Sequence, residues 1–512
     1  MYYLKNNIYY ERFNRKFKVK SFFVFSTFCS IIKERFKRIG YNMTKERWNA
    51  FSLSIQKFTK TIYFLIFIGC LTLFSYFIDV TAVGYISFVA LLILLLLFDC
   101  DFSSIFSLII LWFGGSQTNT WVMPSPPFII VLVLYGITLM LFIYKIIKHH
   151  KIYLNRLKMD HILYSLILLF LSMLLSFINT PDFNLSLLGI GHFAIILFSY
   201  LLVRMTVEPN EENKEFILKS IFITALVVFI QAIYMMFHLL NSGIALFDII
   251  NNKLMFLGWG NPNHYVAILN VASIMALYYF TKHRESTIKR VISLVLIFIY
   301  LFAGLLTASR GGYLAYVITM GIGLIIYCIY TFAINKKNRY KEIPYWAFII
   351  TMISLGLVMF YFTGLMEDIT AKMAEMGANF NGRDEIYLIA IDKFNKYTLF
   401  GAGVYTTNYY IPDIWNYHNY FFQMVGTCGI LGALAFFLYL YFSIKRSMRI
   451  NLYSIFTLIV ILYFLIHGFY DTIYFHHYIM PLICILQAVE KTENINLYEI
   501  QYSDILDRKR IW

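Results

Sequence analysis

Residues 216–240 read FILKSIFITALVVFIQAIYMMFHLL, an apolar run interrupted by a single lysine. About 20 consecutive apolar residues in an α-helix are enough to cross the hydrocarbon core of a bilayer. Residues 61–78 and 127–145 are runs of the same character that approach or reach this length. These three runs predict membrane-spanning helices.

The composition extends this interpretation to the whole chain. Of its 512 residues, 60% are hydrophobic and only 14% are charged, which is too apolar for a soluble globular fold. We therefore predict an all-α polytopic membrane protein with about 12–14 transmembrane helices and a large extracytoplasmic loop that carries short helices. The predicted spans are residues 61–78, 80–98, 102–115, 127–145, 161–178, 187–203, 215–240, 264–281, 290–307, 311–334, 345–364, 419–443, 452–470 and 473–489.

The distribution of positive charge predicts the orientation of these spans. About 14 of the 43 Lys and Arg residues precede residue 61, and such a basic segment favours anionic lipid rather than nucleic acid. If this segment is cytoplasmic, the basic connectors at 145–158, 282–290, 336–341 and 445–449 also fall on the cytoplasmic side, as the positive-inside rule prefers. We expect both termini inside the cell.

The chain divides accordingly into three parts. Residues 1–60 form a basic cytoplasmic segment, residues 61–490 the transmembrane domain, and residues 491–512 a cytoplasmic tail; residues 1–42 stay unassigned because Met43 offers a second start. The loop at 365–417 is far longer than an ordinary connection, which is typical of a functional loop. Apolar residues at helical spacing between Ile386 and Tyr397 predict a short helix on the membrane surface.

Two arginines lie outside in this topology, against the general trend. Arg310 precedes Gly311 and Gly312 between two spans, and Arg383 lies in the large loop. A guanidinium binds phosphate oxygens through two parallel hydrogen bonds, and glycines allow close approach of the backbone. Both arginines are therefore candidate phosphate ligands, the alternative being interfacial anchors or partners of carboxylates.

His418, where the large loop ends, is a candidate general base, because imidazole accepts a proton near neutral pH. A histidine that only caps or packs at a helix start is the alternative reading. No external Asp-x-Asp or Glu-x-Asp pair predicts a metal site; Asp471 ends a span, and His476 and His477 are interpreted as interfacial. We expect neither a metal nor a cofactor, and we interpret Gly401-Ala402-Gly403 as a turn.

An ordered set of short motifs resembles the superfamily of O-antigen ligases and Wzy-type polymerases over about residues 255–440. The motifs are Gly260-Asn261-Pro262-Asn263-His264, Thr307-Ala308-Ser309-Arg310-Gly311-Gly312, Asn381-Gly382-Arg383, Phe400-Gly401-Ala402-Gly403, His418-Asn419-Tyr420 and Gly429-Ile430-Leu431-Gly432. The resemblance implies a bacterial membrane glycosyltransferase that acts on the outer face of the cytoplasmic membrane, without metal and with inversion at the anomeric carbon.

The resemblance also implies roles for individual residues. Arg310 and Arg383 would hold the pyrophosphate of an undecaprenyl-linked glycan donor, and His418 would activate the hydroxyl of a glycan or lipid acceptor. Asn263, Ser309 and Asn419 are candidates for supporting roles. Membrane lipids, a flippase and a chain-length regulator are the further partners that such a protein would have.

Several functions fit the sequence. We favour a polymerase of lipid-linked repeat units, because nothing in the chain suggests a docking domain for a separate acceptor. A ligase that transfers the finished glycan is the alternative within the family, and a flippase or transporter of lipid-linked oligosaccharide is the alternative from another class. A transporter should place charged residues inside its spans. Most of the predicted spans contain no ionisable residue near their centres, and His192, His238 and His467 are the main exceptions. A nonenzymatic membrane scaffold is the third option.

Overall fold

The structure is a computed structural model in which every regular element of the described residues is a helix. The described residues are 45–78, 81–115, 128–157, 159–251, 253–255, 257, 261–307, 309–334, 339–362, 383–411, 416–448, 451–472, 475–476 and 478–490. The predicted N-terminal segment up to residue 44, the C-terminal tail at 491–512 and the first part of the large loop, to residue 382, lie outside these ranges.

The first half of the chain forms ten helices among the described residues, and each apolar run predicted there coincides with one of them. They are α1 (Lys45–Phe58), α2 (Ile62–Ile78), α3 (Thr81–Leu97), α4 (Phe102–Gly115), α5 (Phe128–Lys148), α6 (His150–Arg156), α7 (His161–Leu175), α8 (Phe183–Thr206), α9 (Glu211–Asn241) and α10 (Leu246–Asn251). A 3-10 turn, Ser176–Asn179, extends α7.

The second half contains the helices that carry the predicted functional residues. They are α11 (Pro262–Lys282), α12 (Thr287–Leu305), α13 (Arg310–Cys328), α14 (Ile343–Phe362), α15 (Arg383–Lys396), α16 (Thr407–Tyr410), α17 (Tyr420–Ser447), α18 (Leu452–Gly468) and α19 (Ile479–Ala488). A π-helical turn, Ile329–Ile334, extends α13, and a 3-10 turn, Arg339–Glu342, precedes α14.

The predicted all-α polytopic fold is confirmed, and the lengths of the helices refine it. Within the described residues, seven helices are long and apolar enough to cross a membrane, and the number is eight if α1 and α2, bent by 76°, count as one span. Four further apolar helices, namely the Gly84–Leu97 part of α3 and the whole of α4, α18 and α19, have only 10–17 residues. α15 and α16 form short helices inside the large loop, as predicted.

Buried ion pairs tie the helices together at one end of the bundle, which we call the charged end. Asp160, at the start of α7, accepts hydrogen bonds from Arg446 Nη1 of α17 at 2.8 Å and from Tyr200 Oη of α8 at 2.6 Å. Arg284, before α12, donates to Glu342 at 2.9 Å. Partners compensate the cost of burying these charges. These pairs join the same helix ends that the basic connectors link, so the charged end is the predicted cytoplasmic end.

The opposite end, which we call the site end, contains a break in α17. Gly429 has φ 64° and ψ −160°, a conformation that essentially only glycine adopts. The segment 398–403 fills the gap in the helical hydrogen bonds: the amides of Ala402 and Gly403 donate to the carbonyls of Gly426 and Thr427, both at 3.0 Å. The amide of Ile430 in turn donates to the Thr398 carbonyl at 2.9 Å. We call this contact the α17 joint.

The predicted turn at residues 401–403 is thus one half of the α17 joint. Gly401 and Gly403 have φ 73° and 101°, so both occupy the left-handed region that favours glycine. Asn179 Nδ2 donates to the Gly401 carbonyl at 3.0 Å, and Ser186 Oγ donates to the Val404 carbonyl at 3.0 Å, which fixes the segment against α7 and α8. The segment 398–403 therefore holds the N-terminal half of α17, and α7 and α8 hold that segment in turn. His418 lies directly before this half of α17.

Candidate active site

The centre of the site end is Asp471, a carboxylate that follows α18 and is 2% exposed. Its Oδ1 accepts from the amide of Thr472 at 2.8 Å and pairs with His418 Nδ1 at 3.2 Å. Its Oδ2 accepts from Asn263 Nδ2 at 2.7 Å and from Asn261 Nδ2 at 3.4 Å. A buried carboxylate needs such donors, because removing its charge from water is costly. Asp471 thus joins the starts of α11 and α17 to the end of α18.

The charge state of Asp471 follows from these contacts. Burial alone would raise the pKa of the Asp471 carboxyl, but the His418 ring, the His264 ring and the Asn263 amide hold that pKa well below its ordinary value. The carboxylate is therefore ionised and can only accept hydrogen bonds. It follows that His418 Nδ1 donates to the carboxylate, and in the tautomer that this requires of a neutral imidazole the lone pair lies on Nε2.

Local structure fixes the direction of His418. Its backbone has φ 51°, an uncommon value for a residue other than glycine, and its amide donates to Asn416 Oδ1 at 3.0 Å. The next residue, Asn419, caps α17 by accepting from the amide of Phe421 at 2.8 Å, and its Nδ2 donates to the Phe469 carbonyl at 3.2 Å. Asn419 therefore links the start of α17 to the segment that contains Asp471, which leaves His418 half-buried against the carboxylate.

Arg383 begins α15, and the packing of this helix directs its first turn towards the same site. Ile386 and Ala390 of α15 are buried in a small cluster with Tyr417. One turn after Arg383, the Tyr387 ring stacks on Phe422 of α17 with ring centroids 4.4 Å apart and an interplanar angle of 17°. Burial raises the pKa of Tyr387, while Arg383 lowers it and Asp471 raises it, so both charged groups lie within electrostatic range of the phenol.

Arg310 begins α13, and its helix starts beside the end of α18. A Cβ added to Gly311 would lie 2.8 Å from Tyr470 Cβ, and one added to Gly312 would lie 3.2 Å from His467 Cε1. The sequence suggested that these glycines allow a phosphate to approach; in the structure they allow α13 to pack against α18. Ser309 is buried and its Oγ has no hydrogen-bond partner within the described residues.

His467 lies beneath Asp471 in the last turn of α18. It is buried, its carbonyl accepts from the amide of Asp471 at 3.1 Å, and its Nδ1 lies 2.9 Å from Tyr463 Oη. Asn270 Nδ2 of α11 donates to the same phenol at 3.0 Å. This chain of polar groups connects α11 with α18 below the site. The contacts indicate a structural role for His467, one of the histidines inside the predicted spans.

Of the residues predicted for the site, His418, Asn263 and Asn419 come together around Asp471, and the helices that Arg310 and Arg383 begin also start at this end. The sequence predicts Asp471 at the end of a span and assigns it no role. The available signal is a carboxylate in the otherwise uncharged segment Tyr470-Asp471-Thr472. No spacing rule connects it to a histidine 53 positions earlier in the chain.

A metal site would need several ligands at one place. Within the described ranges, no three His, Cys, Asp or Glu side chains form a group that could hold a metal ion. The described groups at this site are an ionised carboxylate and an imidazole that pairs with it.

A comparison with protein families adds an independent observation. Residues 293–437 match the family model described as O-antigen ligase. This part of the chain belongs to the O-antigen ligase family. No curated protein matches the chain. The match confirms the resemblance that the motifs predicted, over a shorter range than residues 255–440.

The O-antigen ligase domain contains Ser309, Arg310, Arg383 and the whole α17 joint, together with His418 and Asn419. Asn263 and Asp471 lie outside the matched range on either side. The match supports a function of the ligase or polymerase type in polysaccharide assembly, and the family implies lipid-linked glycan substrates.

Proposed function

We propose that this protein is a polymerase of cell-surface polysaccharide, which joins undecaprenyl-pyrophosphate-linked repeat units at the outer face of the bacterial cytoplasmic membrane. The observation that carries the proposal is the contact of 3.2 Å between His418 Nδ1 and the buried, ionised Asp471. A carboxylate that orients an imidazole is the arrangement required to accept a proton from a weak nucleophile such as a sugar hydroxyl.

In the proposed reaction, His418 Nε2 accepts the proton of the acceptor hydroxyl as its oxygen attacks the anomeric carbon of the donor. A glycosidic bond forms, and the bond between that carbon and the diphosphate oxygen breaks with both electrons passing to the oxygen. Asp471 stabilises the imidazolium that forms, because its charge lies against the protonated Nδ1. Attack opposite the leaving group inverts the configuration of the carbon.

The leaving diphosphate gains negative charge during this step, and Arg310 and Arg383 are the residues proposed to stabilise it. Guanidinium groups suit this task because they remain charged and bind two phosphate oxygens at once. Arg383 precedes Tyr387 by one helical turn, and the Tyr387 ring stacks on Phe422 in the first turn of α17, the helix that begins just after His418. The mechanism uses neither a metal nor a cofactor.

The location of the charges favours this reaction over transport. The buried ion pairs described above lie at the charged end, and the pair of His418 with Asp471 lies at the site end. A pathway for a charged substrate would instead place such groups along the interior of the spans. The polyprenyl chain of the donor can remain among the helices in the membrane while its glycan reaches the site. A flippase would supply the repeat units and a chain-length regulator would limit their number.

The proposal is tested by complementing a deletion strain with the wild-type gene or with His418→Ala, Asp471→Asn, Arg310→Ala or Arg383→Ala. Glycan length and lipid attachment are measured, together with the amount of each protein in the membrane. Asp182→Asn is the matched control, since Asp182 caps α8 outside the proposed site and asparagine preserves a cap.

A polymerase predicts that the four site variants lose long chains while single lipid-linked repeats persist. Long chains that accumulate on undecaprenyl pyrophosphate would instead identify a ligase. Normal chains in all four variants, at normal protein levels, would contradict the proposed site and favour a scaffold.

A further inference from the structure

The helix α1 (Lys45–Phe58) meets the bundle at a sharp angle. It is bent by 76° relative to α2, which coincides with a predicted span. A helix at this angle to a span runs close to the plane of the bilayer. The junction of the two helices lies at the charged end, because Lys60 Nζ lies 3.4 Å from Asp101 Oδ2, and Asp99, in the same turn after α3, pairs with Lys145 of a basic connector. α1 therefore lies at the predicted cytoplasmic surface.

Contacts with other helices fix this angle. At the junction, Ser104 Oγ of α4 donates to the Thr59 carbonyl at 2.9 Å. Within α1, Gln56 Nε2 donates to the Phe98 carbonyl at 2.7 Å, directly after the end of α3. α1 is thus held against the ends of two helices of the bundle, and its direction is a property of the fold.

The aromatic side chains of α1 lie on one side of the helix. Trp48, Phe51 and Phe58 recur at helical spacing, and they remain 40%, 48% and 45% exposed. The same side contacts the bundle: the Phe51 ring centroid lies 5.6 Å from that of Phe98, and the Phe58 centroid lies 5.9 Å from that of Phe64 in α2. The aromatic side therefore faces the part of the protein that enters the membrane.

The opposite side of α1 is more polar and carries positive charge. At about 100° of rotation per residue, Asn49 and Lys57 point away from the aromatic side, and both are exposed. Leu53 also lies there. The sequence around α1 is basic as well, since about 14 of the 43 Lys and Arg residues precede residue 61. Aromatic residues on one side and cations on the other are typical of a helix that lies in a membrane interface.

We propose that α1 is an interfacial helix that binds anionic phospholipids of the cytoplasmic leaflet. Trp48, Phe51 and Phe58 lie among the upper parts of the acyl chains, and the Lys57 ammonium pairs with lipid phosphates. Lipid is the ligand because α1 joins a predicted span directly, so the bilayer reaches its exposed aromatic side. This surface goes beyond the proposed function, since it lies at the charged end and includes none of the residues assigned to the reaction.

The first test maps the two sides of α1 with nitroxide spin labels on the full-length protein in lipid nanodiscs. In a background without the six native cysteines, Phe51→Cys and Phe58→Cys place labels on the aromatic side, and Asn49→Cys places one on the polar side. We expect the labels at 51 and 58 to collide with oxygen, which dissolves in hydrocarbon, and the label at 49 to collide with a water-soluble nickel chelate. Either aromatic position reports the result if the other variant does not fold.

The second test measures amide hydrogen exchange of α1 in nanodiscs of phosphatidylcholine alone and of phosphatidylcholine mixed equally with phosphatidylglycerol. We expect slower exchange in the anionic nanodiscs, and we expect Lys57→Gln to reduce this effect by about fivefold, the contribution of one basic side chain at an anionic surface. High salt should reduce it too, because it screens the attraction. Lys341→Gln is the matched control, since Lys341 is an exposed lysine at the same end, before α14, and its loss should leave α1 unchanged.

Each alternative predicts a different result. Collisions with oxygen at all three labelled positions would make α1 part of a bent span and would overturn the proposal. Collisions with the nickel chelate at all three would place α1 in water, where its aromatic side would instead need a protein partner. Equal exchange in the two kinds of nanodisc, or an unchanged effect in Lys57→Gln that thermal unfolding shows to be folded, would exclude anionic lipid as the ligand.

Discussion

At the scale of single residues, the proposed chemistry depends on which nitrogen of His418 carries the proton. The ionised Asp471 places it on Nδ1 and leaves Nε2 as the acceptor. The same logic explains the amides around the carboxylate, since Asn263 and Asn261 donate to Oδ2 and leave Oδ1 to the histidine and the Thr472 amide. A substitution that makes residue 471 a hydrogen-bond donor to His418 should therefore inactivate the protein without changing its fold.

Asp471→Asn is such a substitution. The new amide can donate to Nδ1, which would move the proton of His418 to Nε2 and remove the base. We expect transfer activity to fall by roughly a hundredfold to ten-thousandfold, the contribution of a positioned general base. Glycan transfer by purified protein in nanodiscs measures this effect. Asp182→Asn should keep its activity, and an Asp471→Asn variant of comparable activity to wild type would contradict the assigned tautomer.

The lowered pKa of Asp471 also predicts how stability depends on pH. A carboxyl whose pKa is lower in the folded state than in the unfolded state contributes stability above the unfolded value, about 3.9, and loses it as pH falls towards the folded pKa. We expect wild type to be more stable than Asp471→Asn from about pH 8 to pH 5, and by a smaller margin below about pH 4. Thermal unfolding in detergent across this range provides the measurement. A margin that already shrinks between pH 8 and 6 would disagree with an ionised, paired carboxylate.

At the scale of elements, the α17 joint determines where His418 lies. A continuous helix would satisfy its own backbone, but the break at Gly429 frees groups that residues 398–403 must satisfy. Inside a membrane such groups have no access to water, so an unpaired one is costly. The large loop therefore connects α15 to the site. It also supplies the backbone hydrogen bonds that α17, the helix that begins just after His418, lacks at its break.

Gly429→Ala tests this joint. The added Cβ would lie 2.6 Å from Gly401 N and 2.7 Å from the Leu399 carbonyl carbon and oxygen, in a backbone conformation that alanine disfavours. We expect a loss of stability of at least about 2 kcal/mol, accompanied by loss of activity. Gly321→Ala is the control, because a Cβ at that helical glycine meets nothing within 4 Å. Thermal unfolding compares the two variants, and equal stability would show that the joint is dispensable.

The elements also show what the sequence could and could not predict. Long apolar runs predicted the helices because hydrophobic length is a local property, and the spacing from Ile386 to Tyr397 predicted α15 for the same reason. The joint escaped prediction, since Gly401 and Gly429 look like separate turns until the chain brings them together. Asp471 escaped it likewise, because its partner His418 is distant in sequence. The motifs identified the family without giving these pairings.

At the scale of the whole molecule, two chemically different ends imply two different environments. The charged end combines the basic connectors with ion pairs such as those of Asp160 with Arg446 and of Glu342 with Arg284. The site end contains the long loop, His418 and Asp471. The positive-inside rule predicts that the charged end faces the cytoplasm, and a donor delivered to the outer face requires the site end to lie outside.

This orientation can be measured with single cysteines in a background that lacks the six native ones. Tyr409→Cys places a thiol on α16 at the site end, where the native side chain is 60% exposed, and Lys151→Cys places one on exposed α6 at the charged end. A maleimide that cannot cross membranes should label Tyr409→Cys in intact spheroplasts and Lys151→Cys only after lysis. The two positions report which side of the membrane the site end and the charged end face. The opposite labelling pattern would place His418 inside the cell, where a donor on the outer leaflet cannot reach it, and would rule out polymerisation at the outer face even if the chemistry of the site were intact.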